Sequence, residues 1–557
     1  MCRINFLGHL PIYAYKLPMM KGLNTFFLIL LIAGFSSAQP IFLITDFGAR
    51  TGNNRNNAQQ IQAAIDSASR SGGGIVRVPA PGVFFTSTII LKDNVLLEIA
   101  EGATLKGVPL VRDYPDIIPK IRTYTDRYPQ RSLIYAENAR NIGIIGKGTL
   151  DGNGGSLDFL INEDDKPYGI RIHSCTNVRY EDVFLKASGF WMMHNFNCDS
   201  LTIRNVRIVN HGYGNNDGIN VDACRNVLIE GCSVDANNDP VVIKMTNPYL
   251  SAENILIRNC LLATYSRAIK IGTETQGHVR NVRVENCQVD FSKAGPFGSN
   301  FPGNLGINLS IVDGGSLDNV VIENVDIKGV RTPITIRLGD RATPYNDTVQ
   351  RPGVGTFRNV LLKNITINAR EGITSTISGI SGYPIQNLRM ENVDITVAGG
   401  EALPPDFVVP ENNSAKPDND VLGEQIPAHG IFIRNVDTLI MENVCIRTQR
   451  ADARPAYVFE NVKNLTGPVC GVVTNVLNEQ QVTAILFPNP AGDIIHLRSP
   501  FEVFTLTIYD ATGKEISSDQ KNGSFQQVNV EGLDAGLYLM RIQAADGQTS
   551  VAKWLKK

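Results

Sequence analysis

One nine-residue phrase recurs nine times between residues 177 and 446 and leaves few folds open. It reads NVRYEDVFL from Asn177, SLTIRNVRI from Ser200, NVLIEGCSV from Asn226, NILIRNCLL from Asn254 and NVRVENCQV from Asn281. It returns as NVVIENVDI from Asn319, NVLLKNITI from Asn359, NLRMENVDI from Asn387 and TLIMENVCI from Thr438. Apolar and polar positions alternate inside each copy, which is the period of a strand. The alternation breaks once, at the sixth residue. That residue is Asn205, Asn259, Asn286, Asn324, Asn364, Asn392 or Asn443, with Asp182 and Gly231 in the other two copies. These residue types tolerate left-handed backbone angles, so each phrase reads as strand, one-residue bend, strand. The first five copies start 23, 26, 28 and 27 residues apart. Short strands at that period cannot bury their apolar face singly; stacked at about 4.8 Å they can. The chain is therefore expected to be all-β, with a parallel β-helix as its main body.

Two cysteine columns follow from the same register. Cys232, Cys260 and Cys287 each follow the bend, and Cys175, Cys198 and Cys224 each lie two residues before the phrase. Buried stacks of free thiols are the expectation; disulfides between turns are the alternative, and sequence cannot assign them. Upstream, Gln59 to Asp66 has helical spacing, and Gly72 to Pro79 reads as a turn and a strand. A helix there would cover the open end of the solenoid. The glycine run is followed by no Lys-Ser/Thr pair and is not a phosphate loop.

Composition narrows the rest. The 557 residues carry a net charge of -2, with 43% hydrophobic and 19% charged residues. A sizeable core can form, and no basic footprint for nucleic acid is present. The apolar run Phe26 to Phe35 follows Lys21 and precedes Ser36-Ser37-Ala38. That is a secretory signal over residues 1–38, with translation expected to start at Met19 or Met20. The mature β-helix would span residues 39–472, followed by a linker at 473–484. No C-x-x-C pair or histidine cluster points to a metal site, and no cofactor is expected.

The last segment, residues 485–557, alternates in short strands. Its landmarks are Leu486-Phe487-Pro488-Asn489-Pro490, Ile508-Tyr509-Asp510-Ala511-Thr512-Gly513-Lys514, Leu533-Asp534-Ala535-Gly536-Leu537-Tyr538 and the closing Lys553-Trp554-Leu555-Lys556-Lys557. The segment resembles the type A sorting domain of type IX secretion systems. The resemblance implies a small β-sandwich that engages outer-membrane secretion machinery, and a secreted or cell-surface protein. A carbohydrate-binding β-sandwich is the other reading.

Two carboxylates stand out between repeats. Asp217 lies in Asn215-Asn216-Asp217-Gly218, and Asp239 in Asn237-Asn238-Asp239-Pro240, 22 residues later. That is close to one turn, so both should share one face. Inverting glycoside hydrolysis needs such a pair, one group protonating the leaving oxygen and one activating water. Filling of coil corners by Asp and Asn is the competing explanation, and spacing alone leaves the choice open.

At these residues the chain resembles glycoside hydrolase family 28, the polygalacturonases and rhamnogalacturonases, over residues 44 to 465. Thr45-Asp46-Phe47-Gly48-Ala49 and the Gly72 to Pro79 run look like its opening, and Ser188-Gly189-Phe190-Trp191 with His194 like its approach to the cleft. Asn215 to Gly218 matches its Asn-Thr-Asp-Gly, which places Asp217 on a catalytic aspartate. The resemblance implies a right-handed, pectate-lyase-like parallel β-helix, a pectic substrate and a monomer. Three positions depart from the family pattern. Its Asp-Asp pair falls on Asn238-Asp239, its Gly-His-Gly on Ser266-Arg267-Ala268, and its Arg-x-Lys on Asn308-Leu309-Ser310.

Asp217 and Asp239 are the expected catalytic pair, and Glu274 is the candidate replacement acid. Which of the pair is acid and which base stays open. Lys244, Arg267 and Lys270 are expected to bind a sugar carboxylate, Arg267 by a two-pronged contact. Counted from the bend, Asp239 and Arg267 should stack on adjacent turns. Asn215, Asn238 and Asn308 complete the binding set, with Arg337 and Arg341 bordering the groove, Trp191 as a stacking platform and His211 and His194 as weaker candidates. Two other classes compete: a non-catalytic glycan-binding solenoid, and a calcium-dependent lyase drawing on Asp217, Asp222, Asp235 and Asp239.

Overall fold

The computed structural model describes residues 39–52, 55–124, 129–161, 165–212, 214–290, 305–400, 408–414, 422, 426–470, 484–487, 490–499, 501–511, 514–545 and 549–557. The signal at 1–38 and all but the last residue of the expected linker lie outside them. Two compact units are present, the first ending at Cys470 and the second beginning at Gly471.

The first unit is a parallel β-helix. Among the described residues, thirty-one strands form one continuous parallel ladder. A typical coil has three strands: Tyr168–His173, Thr176–Glu181 and Phe184–Lys186 in one, then Met193–Phe196, Asp199–Arg204 and Arg207–Asn210 in the next. Each strand pairs in register with its counterpart one coil on, as Val178 with Leu201 and Leu201 with Val227. The sixth residue of every phrase has the expected left-handed angle, from Asp182 at φ 62° to Asn443 at 53°. A second left-handed column was not foreseen. The first residue of every phrase is also left-handed, from Asn177 at φ 54° through Ser200 at 58° to Thr438 at 65°. Each phrase thus turns two corners, and the residues at these corners limit the Cβ penalty by being mostly Asn.

The asparagines do more than bend. Along the first column, the amide of Asn177 donates to Asn141 Oδ1 at 2.8 Å, Asn281 to Asn254 at 3.0 Å and Asn319 to Asn281 at 2.9 Å. Along the second, Asn324 donates to Asn286, Asn364 to Asn324, Asn392 to Asn364 and Asn443 to Asn392, at 2.9–3.0 Å. These ladders hold polar corners together where apolar stacking ends.

Inward residues of all coils make one core. Both cysteine columns lie in it as free, buried thiols: Cys175, Cys198 and Cys224, and Cys232, Cys260 and Cys287. Burial pushes the Cys175 and Cys198 thiols up. A disulfide does occur at the far end, joining Cys445 of the last phrase to Cys470 with Cα atoms 5.0 Å apart. At the near end, helix Ala58–Arg70 buries Ile61, Ala64, Ile65 and Ala68, one stripe at helical spacing, against the first coil. Asn57 anchors its start: its amide donates to Arg50 O, Arg55 O and Phe85 O at 2.9–3.0 Å.

The second unit is a small antiparallel structure of two sheets. One joins Ile485–Phe487, Ile494–Arg498 and Phe525–Asn529; the other joins Glu515–Asn522, Val503–Asp510, Gly536–Ala544 and Thr549–Lys556. Their facing sides bury Ile495, Leu497, Phe504, Ile508, Met540, Ile542 and Trp554, as a sandwich requires. Tyr538 stacks on Trp554 with ring centroids 5.0 Å apart.

Candidate active site

Alternation along the first strand of each coil sends Ile219, Val221, Val241 and Ile243 into the core. The residues between them face outward. Ladder register aligns these outward residues into two rows across the coils. One runs Arg171, His194, Asn220, Val242, Lys270, Asn308 and Thr335. The other runs His173, Phe196, Asp222 and Lys244, and further on pairs Ser310 with Arg337.

Asp217 and Asp239 lie two residues before their strands, on successive coils. The pairing of Ile219 with Val241 places them opposite each other, and Gly218 N donates to Asp239 O at 2.9 Å. The pairing of Val241 with Ile269 sets Arg267 opposite Asp239 on the following coil. Two fully buried asparagines fix the backbone here. Asn210 accepts from Ser188 N at 2.8 Å and donates to Asp217 O at 2.8 Å; Asn216 donates to Ser188 O at 3.0 Å.

The two carboxylates have opposite surroundings. Asp217 Oδ1 accepts from the Asn238 amide at 2.8 Å, and its Oδ2 has no hydrogen-bond partner within the protein. Burial, then the charge of Asp239, pushes its carboxyl up to about 7. Asp239 is as deeply buried, yet Lys270 Nζ donates to its Oδ2 at 2.6 Å and Arg267 Nη1 stands 3.9 Å from its Oδ1. Burial opposes ionisation of Asp239, but Lys270, Arg267 and Lys244 outweigh it and hold the group below the usual carboxylate range. Burial also lowers Lys270 from the ordinary lysine value, against the pull of Asp239.

Glu274 corrects an expectation. Lys244 Nζ donates to its Oε2 at 3.0 Å, and Lys244, Lys270 and Arg341 overcome its burial to hold it well below the usual carboxylate range. A group kept ionised this way cannot deliver a proton, so Glu274 does not suit the replacement acid. It is the counter-charge that keeps Lys244 in place.

The other expected residues divide. Lys244, Arg267 and Lys270, expected to bind a sugar carboxylate, pair here with carboxylates of the protein, Lys244 with Glu274 and the other two with Asp239. Asn215 is exposed at the rim. Asn238 is committed through its amide to Asp217. Asn308 is fully buried in the outward row next to Lys270, with its Nδ2 lacking a protein partner. Arg337 lies farther along and donates to the carbonyls of Glu411 and Asn412, so its guanidinium is engaged by backbone. Trp191 is 3% exposed, stacked on Phe190, and carries the Lys244 ammonium 4.4 Å above its ring. It is a wall of the site; the open stacking platform is corrected. His211 pairs with Asp235 at 2.8 Å and His194 with Asp222 at 3.2 Å.

Arg341 makes an ion pair with fully buried Asp313 and also donates to Tyr124 Oη at 3.2 Å. Tyr124 and Asp313 were missed from sequence. They are 189 residues apart and carry no motif; only the folded chain brings them together, with Tyr124 Oη donating to Asp313 Oδ2 at 3.0 Å. The four aspartates of the lyase reading do not converge. Asp222 accepts from Thr246 N and Oγ1, Asp235 pairs with His211, and the described residues contain no group of three metal-ligating side chains.

A β-helix bearing two stacked carboxylates of opposite proton affinity among lysines and arginines is the architecture of a glycan-processing enzyme. Residues 118–408 match the family described as glycosyl hydrolases family 28, and residues 485–557 match the secretion system C-terminal sorting domain. The chain belongs to glycosyl hydrolases family 28, the polygalacturonase family, and ends in a type IX sorting domain. It is 24% identical over 384 residues to the "Probable polygalacturonase" of Vitis vinifera, covering 64% of this chain and 74% of that protein. A shorter stretch of 127 residues is 40% identical to the exo-poly-alpha-D-galacturonosidase of Dickeya chrysanthemi, covering 21% and 20% of the two chains. Among solved structures, the family 28 exopolygalacturonase of Yersinia enterocolitica shares the fold with a TM-score of 0.58 at 16% identity, over 78% of this chain and 79% of that one. The hyperthermoactive exopolygalacturonase of Thermotoga maritima gives 0.54 at 22% identity, over 73% and 92%.

Proposed function

We propose that this chain is an exported hydrolase of pectic polysaccharide that works by inversion, with Asp217 as general acid and Asp239 as general base. The observation that supports this assignment is the split in proton affinity between two stacked carboxylates, one at about 7 and one held ionised. Such a split is the way two like groups take different roles in acid–base catalysis. Asp217 gives its proton to the glycosidic oxygen as the bond to the anomeric carbon breaks. Asp239 takes a proton from a water that attacks the same carbon from the opposite face. Afterwards Asp217 is ionised and Asp239 protonated, and exchange with solvent restores both. The Asn238 amide, donating to Asp217 Oδ1, supports the carboxylate left after transfer.

The substrate follows from charge. Lys244, Lys270, Arg267 and Arg341 gather around the carboxylates of this site. Such a cluster of cations suits a uronate substrate. Relative to the family pattern, positive charge is absent at Asn308 and Ser310 and present at Arg267 and Lys270. The finer part of the proposal is that such relocated charge favours rhamnogalacturonan or decorated pectic chains over plain polygalacturonate. Purified protein would be assayed on both at equal ionic strength for new reducing ends and for absorbance of unsaturated uronide. Reducing ends without that absorbance, and a higher kcat/KM on the alternating chain, are expected. Higher kcat/KM on polygalacturonate would overturn the preference; no reducing ends on either would favour a glycan-binding solenoid.

A further inference from the structure

Trp191 is buried, but the rim of the site carries an exposed ring. Strand Val241–Met245, which bears Lys244, leads into a tight turn, Asn247-Pro248-Tyr249-Leu250. Leu250 N closes it on Asn247 O at 3.3 Å, with Asn first and Pro second, the residues such a turn favours. Tyr249 stands at the tip and is 74% exposed, more than any other aromatic side chain among the described residues. Exposure of one ring means little by itself. What sets Tyr249 apart is how its turn is held.

Three segments meet at this turn through the buried side chain of Asn247. Its Oδ1 accepts from Tyr249 N at 3.0 Å, and its Nδ2 donates to Arg122 O and to Tyr345 Oη, both at 3.0 Å. Tyr345 Oη donates in turn to Arg122 O at 2.7 Å. The half-buried Tyr345 ring meets Tyr249 edge-on, with centroids 5.9 Å apart. The Tyr249 ring is thus steadied along one side while most of its surface stays in water.

The turn is continuous with the carboxylate site. Thr246 N and Oγ1 donate to Asp222, and Tyr124 N donates to Thr246 O at 3.2 Å. Tyr124 Oη then reaches Asp313, the partner of Arg341. Tyr249 therefore lies on the strand-end rim of the outward rows, whereas Asp217 and Asp239 lie on the strand-start rim. The five residues of the strand, ~17 Å, separate the two rims.

We infer that Tyr249 is a stacking platform for a pyranose of the pectic chain other than the one being cleaved. The inference rests on the pectic substrate proposed above. A pyranose presents a face of C–H groups, and a ring already fixed in place buries that face with little loss of side-chain freedom. Such stacking reads no charge, so neutral and uronate sugars are equally suited.

The test compares the parent, Tyr249→Ala and Tyr249→Phe for retardation on native gels cast with rhamnogalacturonan or polygalacturonate, and for kcat and KM on long chains and short oligomers. Because Tyr249 is exposed, all three proteins should melt at the same temperature. Retardation is expected to weaken in Tyr249→Ala and to persist in Tyr249→Phe. KM on long chains should rise about three- to tenfold in Tyr249→Ala with kcat unchanged, and KM on short oligomers should not move. Equal retardation and equal KM in Tyr249→Ala and the parent would overturn the platform and leave the hydrolase reading standing. An equal KM rise on short and long chains would overturn its place outside the cleavage subsite, and the same loss in Tyr249→Phe would assign the effect to the hydroxyl and overturn stacking. Retardation that depends on Tyr249 without new reducing ends would uphold the platform and sink the hydrolase reading. Neither retardation nor reducing ends would sink both.

Discussion

Replacing Asp217 by Asn should make the protein more stable at alkaline pH while nearly abolishing catalysis. Burial and Asp239 raise this carboxyl from 3.8 to about 7. Between those pH values the folded chain holds a proton that the unfolded chain has released, so stability falls as pH rises through that window. A gap of roughly 3 pH units at ~1.36 kcal/mol each costs about 4 kcal/mol above pH 7. The amide introduced by Asp217→Asn cannot ionise and escapes that cost. Its carbonyl still accepts from Asn238, but its NH₂ enters the place of Oδ2, which has no protein partner. An unsatisfied buried donor costs about 1–3 kcal/mol. The variant should therefore be less stable than the parent by about 1–3 kcal/mol at pH 4 and more stable by a similar margin at pH 8. Loss of the general acid should lower kcat by about 10²–10⁴. Denaturant midpoints at both pH values, with kcat on the same samples, check this. A variant equally destabilised at pH 4 and pH 8 would show that Asp217 ionises like any corner aspartate, and the acid assignment would fall.

Lys270→Met removes the 2.6 Å bond to Asp239, so the base should hold its proton to higher pH and the acidic limb of the kcat/KM profile should move upward; an unmoved limb contradicts the role given to Lys270. Asn238→Asp places a third carboxylate against Asp217, so the alkaline limb should also move to higher pH, and a downward shift would count against Asp217 as acid. The six thiols of the two core columns should resist alkylation in the folded protein and react together only on unfolding; rapid labelling of any one would contradict the stacks. Intact-mass measurement of the extracellular form should give a chain beginning near Gln39 and lacking residues 485–557, whereas a chain retaining both ends would refute the export reading.

The solenoid was legible because its code is local and repeated: an Asn or its substitute every coil, apolar residues at period two, cysteines at constant offsets. The same regularity made the placement of Asp239 beside Arg267 a matter of counting. What escaped was whatever depends on distance along the chain. Nothing near Glu274 shows that Lys244, Lys270 and Arg341 would converge on it and hold it ionised. Nothing near Trp191 shows that a lysine two coils later would lie over its ring. Tyr124 is further removed, since it acquires its partner Asp313 only after several more phrases have wound. The second left-handed column was a different kind of miss. The first residue of each phrase leaves the period-two alternation unbroken, so only its identity, Asn in seven of nine copies, marks the corner.

The asparagine ladders are directional. In every rung between adjacent corners the later coil donates its amide hydrogen and the earlier coil accepts, from Asn177 onto Asn141 to Asn443 onto Asn392. An aspartate can accept but cannot donate, so it can head a run without being able to continue one. The second ladder indeed has Asp182 receiving Asn205, and in the first column Asn226 and Asn359 donate to neighbouring Asp199 and Asp318. Wherever the corner is Asn or Asp, the growing end of the solenoid thus presents a carbonyl oxygen to the next coil, and the amide above it turns its NH₂ backward. A repeat inserted, duplicated or exchanged will dock if its corner can donate backward, whatever its outward face carries. This asymmetry allows loops and catalytic residues on that face to vary while the winding direction of the scaffold stays the same.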